Sequence, residues 1–85
     1  MMHREIKNIG MTEAANRIGV SPERLRYWEL QGIISPGYIR RGTKRLRRYS
    51  KEDIAIAGEI KRMVDREGFS LHGAAMRMNR PYRIR

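Results

Sequence analysis

Two groups of cationic side chains, with a tyrosine among them, carry the chemistry that this 85-residue sequence offers. Arg24, Arg26 and Tyr27 stand within VSPERLRYWELQGII, residues 20–34. Arg40, Arg41, Lys44, Arg45, Arg47 and Arg48 crowd a stretch between Leu30 and Lys51 that holds no acidic residue. A guanidinium presents donors in a planar fork that matches a phosphate or a guanine edge, and an ammonium attracts the same anions as a point charge. Binding to a polyanion follows from these groups, whereas catalysis does not. The chain has no cysteine nucleophile, no serine elbow, no phosphate loop and no acid pair outside helix starts, so it does not read as an enzyme.

The first group needs a helix to present it, and the local signals supply one over 22–31. Ser21 is placed to cap, Pro22 sits where a missing N–H is harmless, and Glu23 suits the positive end of the helix dipole. Gly32 can take the left-handed conformation beyond the last turn. Leu25 and Trp28 fall on one inner stripe, while Arg24, Arg26, Tyr27 and Gln31 point elsewhere. Trp28 is therefore read as core rather than as an aromatic that stacks on a base. A preceding helix over 11–18 gathers Met11, Ala14, Ala15 and Ile18 on one face, starts near Gly10 or Thr12 and ends at Gly19. The link Gly19-Val20-Ser21 is short enough only for a tight turn, which makes the pair a helix-turn-helix.

The second group needs an element that projects. Ile33 and Ile34 are expected to pack back on the core, and Pro36-Gly37 breaks regular structure. Tyr38-Ile39 and Leu46 to Tyr49 can pair as a hairpin closed through Arg41-Gly42-Thr43-Lys44, a wing over 38–49. Ser50 with Asp53 forms a capping box before a third helix, whose buried face is Ile54, Ala57, Ile60, Lys61 and Val64. Its solvated side is Glu59, Arg62, Asp65 and Arg66. Gly68 ends it, Ser70 caps a short last helix with Leu71, Ala74, Ala75 and Met78, and Gly73 weakens that helix.

The flanks carry less signal. Residues 1–10 read as an arm or short strand from Glu5 to Ile9, with Ile6 and Ile9 as candidates for burial; 11–78 is the domain; the basic tail 79–85 is expected to fray. His3 and His72 are isolated surface residues with no partner at metal spacing, and Met63, Met76 and Met78 read as core filler. No cofactor or metal is expected. A formal net charge of +10 costs self-repulsion unless a polyanion screens it; nucleic acid is the commonest such partner and an anionic membrane surface the next. With no cysteine, no secretory signal and no membrane-spanning run, the sequence reads as soluble and cytoplasmic, with no membrane partner.

Taken in order, the Gly-Val-Ser turn, Leu25-Arg26-Tyr27-Trp28-Glu29, Gly32-Ile33-Ile34, Pro36, the arginine-rich wing, Arg47-Arg48-Tyr49-Ser50, Glu52-Asp53-Ile54 and Gly68-Phe69-Ser70-Leu71 resemble the winged helix-turn-helix DNA-binding domain of the MerR family. The resemblance runs from about Ile9 to Met78. Its Arg-Gly-Thr-Lys wing is closer to the nitrogen-regulator and heat-shock-repressor branches than to the metal sensors. It implies a mainly α fold with a β-hairpin wing and a second helix pair, acting as a sequence-specific transcriptional regulator on double-stranded DNA. Helix 22–31 would enter the major groove and the wing would hold the flanking backbone. Arg24 and Arg26 align with recognition-helix positions, Tyr27 with a phosphate-contacting aromatic and Arg47 with the wing arginine. Arg24, near the helix start, is assigned a base edge and Arg26 a phosphate. Arg47 and one or more of Arg40, Arg41, Lys44 and Arg45 are assigned to phosphate, and sequence alone does not rank those four.

In the family such domains work as homodimers that bend promoter DNA for RNA polymerase. Members usually continue into a long dimerising helix and an effector domain, and metal sensors carry cysteines. Here the sequence stops and has no cysteine, which leaves the signal open and reads as a truncated chain or a small single-domain relative. The competing reading is an excisionase-like or architectural protein that binds adjacent repeats cooperatively. An RNA-binding module ranks third, because side chains cannot read the deep A-form groove.

Overall fold

The computed structural model of the chain describes residues 9–82. Its elements run α1 (Met11–Ile18), α2 (Pro22–Leu30), β1 (Gly37–Arg41), β2 (Lys44–Arg48), α3 (Lys51–Asp65) and α4 (Leu71–Arg77). This is the mainly helical architecture that the periodicity predicts: a helix-turn-helix, a hairpin wing and a second helix pair.

Local punctuation sets most boundaries. Gly10 precedes α1 without any side-chain cap, so this short helix depends on burying Ala14, Ala15 and Ile18 rather than on its own ends. Gly19 leaves it at φ 91°, a left-handed turn that closes within reach of Ser21. The Ser21 hydroxyl accepts from the Arg24 backbone N–H at 3.1 Å. The second helix stops at Leu30, with Gln31 as its cap and Gly32 at φ 87°, one residue short of expectation. At α3 the capping box is complete. The Asp53 N–H donates to the Ser50 hydroxyl at 3.0 Å and the Ser50 N–H to the Asp53 carboxylate at 2.8 Å. The Ser70 hydroxyl caps α4 through the Gly73 N–H at 2.9 Å.

One core joins these elements. Leu25 and Trp28 of α2 meet Ala14, Ala15 and Ile18 of α1, Ala57, Ile60 and Met63 of α3, Ala74 and Ala75 of α4, and Ile33 and Ile34 of the connector. The helix α1 packs on both α2 and α3, and α4 packs on α3. The hairpin is antiparallel, with Arg41 opposite Lys44 at its tip and Gly37 opposite Arg48 at its base.

Three expectations are corrected. The wing strand ends at Arg48, and Tyr49 turns into the core, where a large ring gains more by burial than by one further rung. Its backbone pairs with Ile9 (N–H to carbonyl 2.7 and 3.0 Å), so Ile9 is buried as expected. Met76 is 63% exposed, not core. At helical spacing it lies opposite the face made by Leu71, Ala74, Ala75 and Met78. The segment from Asn79 to Tyr82 is docked, not frayed. The Arg80 N–H donates to the Ala75 carbonyl at 2.8 Å, its side chain to the Ile33 carbonyl at 2.9 Å, and Tyr82 stacks on His72 at 4.8 Å. Residues 1–8, with His3, Ile6 and most of the anticipated arm, and residues 83–85 lie outside the described residues.

The Tyr49 hydroxyl is buried with no hydrogen-bond partner among the described residues. Burial pushes its pKa up from 10.0 to about 12. A raised folded-state value means that this contribution to stability is whole below pH 10 and is lost as the pH climbs to about 12. Tyr49→Phe is expected to leave neutral-pH stability unchanged or raise it by about 1 kcal/mol, since it removes an unsatisfied group. It should also flatten the alkaline loss, and denaturant titrations across that pH range read both effects.

Candidate nucleic-acid interface

At roughly 100° of rotation per residue, Leu25 and Trp28 fix the inner side of α2, and Glu23, Arg26, Tyr27 and Leu30 face the opposite way. All four outward residues are exposed. Arg24 and Glu29 are half-buried and fall on the two flanks between. Each flank is closed by a charged contact to a different element.

On one flank the Glu29 carboxylate collects the hairpin. The Arg47 Nε donates to it at 2.7 and 3.0 Å and the Tyr38 hydroxyl at 2.9 Å. The Glu29 side chain is only 12% exposed, so the contact is screened far less than a surface pair. Partial burial works against the charge of Arg47, but the hydrogen-bonded Glu29 outweighs it and raises the guanidinium pKa. Both strands are thereby tied to α2.

On the other flank Arg24 turns onto α3. Its guanidinium meets the Asp65 carboxylate at 2.7 and 3.2 Å and lies 5.2 Å over the Trp28 ring. Hydrogen bonding from Arg24 holds the Asp65 carboxyl below its ordinary pKa against partial desolvation, with a further contribution from Lys61. The Arg24 donors assigned to a base edge are thus engaged within the protein.

The hairpin register sorts the wing cations into two faces. Residues opposite each other share a face and alternate along each strand. Tyr38 pairs with Arg47 and Arg40 with Arg45, so Arg40 and Arg45 share the face that meets Glu29. Arg45 stacks on the Tyr38 ring at 4.3 Å. Arg41, Lys44 and Arg48 belong to the other face with Ile39 and Leu46. Arg26, Arg40, Arg41 and Lys44 are exposed and, among the described residues, form no salt bridge.

Tyr27 is exposed and stands beside Tyr82, whose hydroxyl pKa is raised by partial desolvation and then by Tyr27. The structure therefore brings Arg26 and Tyr27 together on the outward side of α2 and attaches the wing to the same helix. It draws Arg24 to the flank. Sequence reading missed Glu29, Tyr38 and Asp65 as determinants of this geometry. A signal existed for Glu29, the last carboxylate before the acid-free stretch. Among the described residues no cluster of three metal-ligating side chains occurs, and no helix is long and apolar enough to cross a membrane.

The family model described as MerR HTH family regulatory protein matches residues 10–80 of the chain. Comparison with curated proteins returns no match.

Glu29→Ala strands Arg47 and Tyr38, and should lower stability by about 1.5–3 kcal/mol, the scale of hydrogen bonds to a charged group. Hydrogen exchange should speed up in β1 and β2 beyond this global change, while α1 and α3 follow the global change alone.

Proposed function

The chain belongs to the MerR HTH family of regulatory proteins, DNA-binding transcription regulators, and from that premise we propose that it binds duplex DNA sequence-specifically, with α2 in the major groove and the hairpin on the flanking backbone. The hairpin carries the reading. Arg40 stands opposite Arg45 and Arg41 opposite Lys44, and like charges facing across a ladder destabilise it. No carboxylate between Leu30 and Lys51 offsets that repulsion, and Glu29 is already committed to Arg47 and Tyr38. A phosphate backbone is an anion of the right extent to do so, through counterion release that is independent of sequence.

In this reading Arg26 and Tyr27 meet phosphates beside the groove. Arg40, Arg45 and Arg47, on the Glu29 side of the wing, follow the strand next to α2, and Arg41 and Lys44 reach further along it. Arg24 supplies the base contact by exchanging Asp65 for a guanine edge, which offers two acceptors to the same fork. A second copy on a two-fold-related half-site and RNA polymerase at the promoter are the partners that this reading names.

Selection of bound duplexes from a random pool, at two salt concentrations, tests it. A single symmetric site is expected, whereas a ladder of adjacent footprints would replace the regulator by an architectural protein. Arg40→Gln combined with Arg45→Gln should reduce the salt slope by about two units and weaken all duplexes alike. Arg24→Ala should relax preference at one base position at a cost of about 1–3 kcal/mol. An unchanged salt slope would remove the wing from the interface, and a uniform loss with Arg24→Ala would move that residue to the backbone.

A further inference from the structure

Arg24 and Asp65 are 41 residues apart, yet they meet in two hydrogen bonds of 2.7 and 3.2 Å, one for each carboxylate oxygen. Both side chains keep about a third of their exposure, 34% and 36%. The contact is thus an accessible one, of the kind that contributes little to stability. Its geometry is more specific than its energy. A carboxylate offers two acceptors side by side, as guanine does through O6 and N7.

The surroundings make the pair exchangeable. The Arg24 guanidinium rests on Trp28, which is fixed in the core, so its stem stays positioned when its donors change partner. Asp65 has a second cation waiting, because the Lys61 ammonium lies 3.9 Å from Oδ2. When Arg24 leaves, the carboxylate keeps an ion pair. Little opposes departure toward an equivalent acceptor pair, and a poorer acceptor does not compensate for the bond lost.

We propose that Asp65 is an internal competitor for the base-reading fork of Arg24 and so sets the affinity of DNA binding: its carboxylate holds the fork in the free protein and on a duplex without a matching two-acceptor base edge, and yields it only to such an edge. This deepens the function proposed above and rests on Arg24 as its base-reading side chain. The anion also repels phosphate on the α3 side of the helix. The duplex must compete with an internal anion for the fork, and only a matching one breaks the pair.

The test uses the full chain, a duplex taken from the selection and a scrambled duplex of equal length. Asp65→Asn removes the charge and spoils the acceptor pair. Glu13→Gln, on α1 and paired only with Arg17, is the control of equal net charge. Relative to that control, Asp65→Asn is expected to tighten the selected duplex by up to about fivefold, the upper end for an exposed ion pair. The scrambled duplex should change less, so the preference for the selected duplex rises. Asp65→Glu, which keeps the carboxylate, should retain the wild-type preference and guards against a simple packing effect. On an Arg24→Ala background the difference between Asp65→Asn and the control should vanish, because the effect runs through Arg24.

An unchanged or lower preference for the selected duplex in Asp65→Asn would overturn the proposal and leave the pair as a strut between α2 and α3. Wild-type protein that fails to distinguish the two duplexes would overturn the broader reading of Arg24 instead.

Discussion

The carboxylate of Glu29 stands on α2 and receives donors from both strands of the hairpin, Tyr38 on β1 and Arg47 on β2. The orientation of the whole basic surface depends on this contact. A two-stranded ribbon is marginal by itself, and this one sets cation against cation along its outer half. Without an anchor it has no reason to hold one direction relative to the helix. The anchor works because it is sheltered: a carboxylate nearly withdrawn from water keeps its attraction for arginine, where an exposed one loses it to solvent and salt.

From that contact inward, each layer constrains the next. Leu25 and Trp28 lock the inner stripe of α2 into the common core. That leaves two flanks, one held by the wing and one by Asp65, and a single outward side with Arg26 and Tyr27 exposed. The helix can neither roll nor slide without breaking one clasp. Charge is distributed accordingly. Glu29 and Asp65 are paired at the two flanks, Glu23 stands exposed on the outward side, and Arg40, Arg41, Lys44 and Arg45 of the hairpin have no acid partner among the described residues. Six of the cations behind the net charge of +10 stand in the hairpin, Arg40, Arg41, Lys44, Arg45, Arg47 and Arg48, with no acid among them.

The parts of this arrangement that sequence disclosed are those written in adjacent residues. Ser21, Gly19, Gly32, Ser50 with Asp53, and Ser70 mark helix ends by local hydrogen bonding or backbone freedom, and each does so in the structure. The inner stripe of α2 was legible for the same reason, since period and burial coincide at Leu25 and Trp28. The clasps were not. Asp65 sits on the solvated side of α3, as its spacing says, but no periodicity indicates that Arg24 will find it from a distant helix. Tyr49 reads as the last rung of a strand until the backbone bridge to Ile9 and the burial of its ring are seen together. The tail looked polar and unstructured because its anchor, the Ile33 carbonyl, belongs to the backbone and leaves no trace in side-chain pattern. The wing cations were found as a group, but only strand register divided them into faces.

The tethers on α2 also span long stretches of chain: Arg24 to Asp65 across 41 residues, and the Ile33 carbonyl, just beyond the helix, to Arg80 across 47. A nascent chain emerges from its amino end, so α2 leaves the ribosome well before either counterpart does. Until those counterparts appear, α2 lacks both tethers, and Leu25 and Trp28 lack the residues of α3 and α4 that share their core. This helix is therefore among the earliest parts to be synthesised and among the last to acquire its final geometry.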